Sequence, residues 1–262
     1  MDNSKVKEVQ CKLLAIAKIF HTICEENNIR YYMLGGTMLG AVRHHGFIPW
    51  DDDMDFGVML SDFPRLKAAL NASLPSHLKV RDINNSSSVS NTMLKIEDSR
   101  YEIVEIEKEH ANDCIGLNID IFPLSRTNAN ERVLSRNWIA KQLTRINWCR
   151  YLDYKNRGAL KNICSKAIKS VIRPFPKRTL PGFIEKIIIP HKGDCITNYW
   201  DNEIVKDRVM EPPRMYAFED ACFWGVAQPD LYLKRLYGDY MRIPQENEIH
   251  SHIITYREKA EG

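Results

Sequence analysis

Four carboxylates crowd one short stretch of this chain, PWDDDMDFGV: Asp51, Asp52, Asp53 and Asp55. Acidic residues disfavour strands, and like charges on one face repel, so folding alone gives no reason for the cluster. A cation does. Alternate residues of a strand share a face, about 6.5 to 7 Å apart along it, so Asp53 and Asp55 are expected to project together while Met54 and Phe56 turn to a core. Two carboxylates so placed can hold Mg2+ or Mn2+, and Mg2+ completes its octahedron with waters and substrate phosphates. The expected chemistry is phosphate chemistry.

Asp51 lies on the same alternation and is expected to be a further ligand, or to orient or deprotonate an attacking hydroxyl. Asp52 points the other way and reads as structural. Asp120, between Ile119 and Ile121 in GLNIDIFPL, stands where an unpaired carboxylate is costly. It is the candidate for a third metal ligand, which makes Asp53, Asp55 and Asp120 the expected metal set. Gly35, Gly36 and Thr37 form a turn after an apolar run. Such a turn lets the backbone approach a phosphate and opens a helix whose first N–H groups can receive it.

Arg43 and Lys95 are the candidate phosphate-neutralising cations, Arg as a planar fork and Lys as a point charge, with an ordinary ion pair as the competing reading for each. An EF-hand fits Asp51, Asp53 and Asp55 but fails at its sixth position, Phe56 in place of Gly, and at its twelfth, Asp62 in place of Glu. His44, His45, His250 and His252 show no metal-ligand spacing.

These residues need a frame, and the chain supplies one. Val6, Val9, Leu13, Ile16, Phe20 and Ile23 recur at helical steps after a capping Ser4, and Asn27-Asn28 stops them. Ile29 to Leu34 reads as a strand, Thr37 to His44 as a short helix, and Met54 to Leu60 as a second strand. A helix capped by Ser61 or Asp62 runs to about Leu74. The polar run from Asn84 to Asn91 reads as a loop. Thr92 to Ile96, Tyr101 to Ile106 and Leu117 to Phe122 read as three more strands, the last ended by Pro123. The fold class expected is α+β: a mixed sheet flanked by helices, with a helical extension in the second half.

The division expected is a catalytic core over 1–128 and a helical region over 129–262 that packs back on it. Residues 155–178 hold eight Lys and Arg and no Asp or Glu, with an apolar stripe of Leu160, Ile163, Ala167, Ile168, Val171 and Ile172. A basic amphipathic helix of this kind suits either the core or the interface of an anionic membrane. Pro229 to Tyr237 reads as a short helix stopped by Gly238.

With 37 Lys and Arg against 34 Asp and Glu among 262 residues, the charge is too balanced to argue for nucleic acid as a partner. Seven scattered cysteines never form CxxC, which suits a reducing compartment and argues against disulfides or zinc. No leader of the basic-then-apolar type and no apolar run near the ~20 residues that span a bilayer is present. The expected location is the cytoplasm, with peripheral contact at the inner face of the cell membrane through 155–178.

Three segments resemble the LicD family, relatives of the fukutin-type transferases: LGGTMLGAVRHHGFIPWDDDMDFGV at 34–58, NIDIFPL at 118–124 and YLKRLYGDYMRIP at 232–244. The resemblance implies a nucleotidyltransferase-like core. It also implies transfer of a phospho-alcohol, such as phosphocholine or ribitol phosphate, from a CDP-linked or CMP-linked donor to a glycan hydroxyl, with release of CMP; the acceptors are often lipid-linked. By motif position it gives Asp53 and Asp55 to the metal, adds Asp120 to the acidic set and makes Asp51 functional. Two other functions suit the same acids: a transferase of NMP onto a small molecule, and a non-catalytic nucleotide-binding scaffold. Metal-dependent release of CMP, pyrophosphate or neither separates the three.

Overall fold

The computed structural model describes residues 3–82, 85–86, 93–105, 115–128, 131–150, 159–188, 192–198, 203–245 and 253–259. Most of the expected polar loop at 84–91, the first residues of the basic stretch (155–158), Cys114, His250 and His252 lie outside them.

The first helix, α1 (Asn3–Glu26), is already under way at Ser4. Its six periodic apolar residues are all buried, and each contributes about 1.5–3 kcal/mol by leaving water. Asn28 ends it in the left-handed region, φ 51°, a conformation Asn tolerates better than most residues. The chain then enters β1 (Tyr31–Met33), α2 (Gly35–Arg43) and β2 (Asp55–Met59). A single 3-10 turn at Leu60–Asp62 leads into α3 (Phe63–Ser73), which buries Phe63, Leu66 and Leu70; neither α3 nor the turn has a side-chain cap, so the cap expected from Ser61 or Asp62 is not made.

Next come β3 (Leu78–Arg81), β4 (Leu94–Glu105) and β5 (Ile115–Thr127). Two strands were expected where β4 runs as one. The polar Asp98-Ser99-Arg100 reads as a break, but the Asp98 side chain is buried against the Arg100 guanidinium at 2.6 Å, so the strand passes through with an irregular register. Likewise β5 continues past Pro123. There it changes neighbour on one side, from β4 (last pair Leu94 with Ile121) to β6 (Cys195–Asn198; first pair Ser125 with Thr197). Pro123 falls in the gap between the two.

Helices α4 (Glu131–Trp148), α5 (Ala159–Ile172) and α6 (Thr179–Ile188) form the expected helical extension, with α4 and α6 joined through Ala140 and Ile184. The chain after them is richer in strands than its sequence suggests. Besides β6 it supplies β7 (Glu203–Lys206), the hairpin β8 (Arg214–Phe218) and β9 (Ala221–Gly225), and β10 (Ile253–Glu258). Between them lie α7 (Asp207–Met210) and α8 (Pro229–Tyr237), the latter stopped by Gly238 at φ 64°. These strands are too short for alternation to show.

The result is a mixed α+β fold. Its main sheet has the order β1-β2-β5-β4-β10, with β3 also on β4 and β6-β7 continuing from β5. Among the described residues only β2 and β5 are parallel; the other pairs are antiparallel. Among the described residues no helix is long and apolar enough to cross a membrane.

One carboxylate of the acidic run belongs to this frame. Asp52 is 2 % exposed and its Oδ2 accepts the backbone N–H of Ile253 at 2.8 Å, tying the start of β10 to the loop before β2. This is the structural part expected of it. Asp52→Ala removes this buried hydrogen bond and should cost about 1–3 kcal/mol, read as a lower urea midpoint with an unchanged slope.

Candidate active site

The expected alternation is present: Met54 and Phe56 are fully buried, while Asp53 and Asp55 keep contact with solvent. Phe56 locks the strand by packing on Phe20 and Tyr31 at ring-centroid distances of 5.0 and 5.6 Å. Asp55 is then delivered to one row that crosses three strands, β2, β5 and β4. Leu34, just past β1, donates its N–H to the Asp55 carbonyl at 3.0 Å. Asp55 pairs with Asp120 in the parallel register of β2 and β5. Asp120 pairs with Lys95 in the antiparallel register of β5 and β4.

Gly35 and Gly36 open α2 instead of forming a separate turn before it. Gly35 sits at φ +49°, where L side chains are strained, and a Cβ there would lie 3.5 Å from both Asp55 Oδ2 and the Tyr237 hydroxyl. A Cβ on Gly36 would come within 2.9 Å of Asp51 Oδ2. Both glycines therefore let the backbone of the helix N-terminus approach the acids, whose charge suits the positive end of the helix. Thr37 closes the contact by accepting the Asp55 N–H at 2.8 Å. From α1, Gln10 donates to the carbonyls of Ile48 (3.1 Å) and Asp51 (2.8 Å), which fixes the loop carrying Asp51.

The electrostatics follow from the crowding. Burial, then the charges of Asp53, Asp120 and Asp51, push the Asp55 carboxyl well above the usual carboxylate range, with Lys95 opposing them. Lys95 is 4 % exposed. Its ammonium donates to Asp120 Oδ1 at 2.5 Å and to Asn118 Oδ1 at 2.8 Å, and Asn118 is held in turn by the Gly116 carbonyl. Lys95 is thus a buried counter-charge to Asp120, the ion pair that was the competing reading for it.

Arg43 is not brought to the row. It ends α2, about 12 Å along the helix from Gly35 at 1.5 Å per residue, and its Nη1 donates to the carbonyls of Tyr240 (2.7 Å) and Arg242 (3.3 Å). Burial lowers its pKa from its ordinary value. Arg43 pins the segment after α8 instead.

Helix α8 itself contributes two residues that sequence reasoning did not assign. Tyr232, 1 % exposed, accepts the Gly35 N–H on its hydroxyl at 3.1 Å, and Tyr237 brings its hydroxyl beside Gly35 and Asp55. The signal was the YLKRLYGDY segment, whose resemblance was visible but whose contact with a turn some 200 residues earlier was not.

A divalent cation suits the donor chemistry, since the acids are hard oxygen ligands whose mutual repulsion raises the Asp55 pKa. Among the described residues, however, no three His, Cys, Asp or Glu side chains stand in position to share one ion. The acids best placed to hold it are Asp53 and Asp55, because Asp120 is engaged by Lys95.

The mixed sheet gathers clustered acids beside a glycine-opened helix, and comparison with known proteins gives a family for part of the chain. Residues 28–150 match the family model described as LicD/FKTN/FKRP, nucleotidyltransferase domain. These residues carry a LicD-family domain. The chain is 26% identical to the lipopolysaccharide cholinephosphotransferase LicD of Haemophilus influenzae over 266 aligned residues, covering 97% of this chain and 98% of that protein. It is also 48% identical over 40 residues to the human ribitol 5-phosphate transferase FKRP, which is 15% of this chain and 8% of FKRP. A Rickettsia prowazekii protein of uncharacterized function is 47% identical over 58 residues, 22% of each chain.

Proposed function

We propose that this chain, a LicD-like phosphotransferase, moves a phospho-alcohol from a CDP-linked or CMP-linked donor to a hydroxyl of a cell-surface glycan, lipid-linked in its native form, and releases CMP. Phosphocholine or a similar group is the cargo. The reading is carried by the row Gly35, Asp55, Asp120 and Lys95, which places a helix N-terminus, clustered carboxylates and a counter-charge at one end of the sheet. The substrate class comes from its relatives, one a cholinephosphotransferase and the other a ribitol 5-phosphate transferase.

In the reaction the acceptor oxygen attacks the phosphorus that bears the alcohol, and the P–O bond to CMP breaks. Asp51, against Gly36, takes the hydroxyl proton as general base. The α2 N-terminus receives donor phosphate oxygens through its backbone N–H groups. Asp53 and Asp55 would hold Mg2+ or Mn2+, which supplies charge neutralisation to the diphosphate. Lys95 pairs with Asp120 and orients it. Most of the rate comes from positioning and electrostatics.

Gly36→Ala isolates the positioning. The Asp51 carboxylate, at the end of a movable side chain, must yield by a few tenths of an ångström. Stability should change by about 0.5 kcal/mol or less, whereas a displaced reacting group should lower kcat about tenfold to a hundredfold. Urea titration and initial rates on one preparation check both.

A donor panel tests the function itself. CDP-choline, CDP-ethanolamine, CDP-ribitol and a CMP-phosphonate are incubated with metal and a glycan acceptor, and CMP is quantified. Acceptor-dependent CMP release from one of them is expected. Pyrophosphate from CTP, with no CMP from any donor, would assign the site to NMP transfer instead.

A further inference from the structure

Helix α5 presents its apolar side outward. Leu160, Ile163, Cys164, Ala167 and Val171 recur at steps of three and four and so share one face. That face meets solvent: Leu160 is 75%, Ile163 63% and Val171 67% exposed, and Cys164 and Ala167 are exposed with them. The opposite side holds the helix to the protein. Ile172 is buried, and the Arg150 guanidinium, just past α4, donates to the carbonyls of Ile172 at 2.7 Å and Phe175 at 2.9 Å. Phe175, immediately after α5, is 55% exposed and extends the apolar surface.

The charged residues of α5 and of the turn after it carry one sign. Lys166, Arg173, Lys177 and Arg178 are exposed, and residues 159–178 contain no Asp or Glu. An apolar stripe left open and rimmed only by cations does not suit a second copy of the chain, because two such rims would repel. It suits a surface that is apolar below and anionic above.

We propose that α5 and the turn after it dock the protein on a bilayer containing anionic lipid. Leu160, Ile163, Val171 and Phe175 enter the boundary between headgroups and acyl chains, and the lysines and arginines meet lipid phosphates. A 14-residue helix is about 21 Å long at 1.5 Å per residue, so it lies in the plane of the surface and does not span it. This docking does not depend on which group the active site transfers.

Co-sedimentation of the full chain with vesicles of phosphatidylcholine, with and without phosphatidylglycerol, tests it. The chain should sediment with the anionic vesicles at low salt and be released as salt is raised. Leu160→Asp/Ile163→Asp/Val171→Asp should weaken binding about tenfold or more, with an unchanged urea midpoint because these side chains are already exposed. Lys166→Glu/Arg173→Glu should weaken it and flatten the salt dependence. Three results would overturn the proposal: no sedimentation at low salt, equal binding by the triple variant, or a dimer that the triple variant abolishes while neither protein binds vesicles.

Discussion

Asp55→Asn is expected to raise the melting temperature at neutral pH while reducing transfer by about a thousandfold or more, the scale on which a central electrostatic group acts. The two effects have opposite signs for one reason. Asp55 sits among Asp53, Asp120 and Asp51, and burial and their charges hold its pKa above the ordinary carboxylate value. A group that binds its proton more tightly folded than unfolded contributes stability below its unfolded pKa and loses that contribution as pH rises through its folded pKa. The wild type should therefore lose stability as pH rises from the usual carboxylate range toward neutrality, and the neutral Asn isostere should remove that part of the slope. Thermal melts of both proteins across this window, without added metal, measure it. A variant less stable than wild type throughout would mean that Asp55 is a structural acid.

Lys95→Met is the second large effect, and it acts on the fold. The buried ammonium satisfies Asp120 and Asn118 at once, so removing it takes the buried counter-charge from a carboxylate beside Asp55. Breaking a buried pair by removing one partner costs about 3–5 kcal/mol. Lys95→Met/Asp120→Asn should recover part of the loss at neutral pH, a coupling that a double-mutant cycle reads directly. Were Lys95 chiefly a phosphate contact, the single variant would keep its stability and lose only donor affinity.

The acidic half of the site was legible because strand alternation is a strict rule: Asp53 and Asp55 share a face, and Asp52 turns inward to hold β10. The row through Asp120 could be suspected from its apolar neighbours, but its register with Asp55 and Lys95 is set by long-range pairing that no local pattern encodes. Lys95 and Arg43 show the limit from the other side. A cation near a phosphate motif looks the same in sequence whether it meets substrate, a buried carboxylate or the carbonyls of Tyr240 and Arg242.

The fold was missed where local signals were weak or misleading. Asp98-Ser99-Arg100 resembles a break yet lies within β4 because its charges pair locally. Pro123 resembles a stop yet sits where β5 exchanges one neighbour for another. The outward apolar face of α5 was visible as a stripe, but periodicity cannot tell a face that packs from one that waits for a surface.

The central claim is that the carboxylate cluster at the α2 N-terminus drives release of CMP. Its most direct test is a time course of CMP formation from CDP-choline and the other panel donors with glycan acceptor. Wild type, Asp53→Asn and Asp55→Asn are run with Mg2+ and again with excess EDTA. The account predicts acceptor-dependent CMP from the wild type with Mg2+, and background levels from both variants and from every EDTA sample. CMP released by either folded variant at a rate near that of the wild type would contradict it.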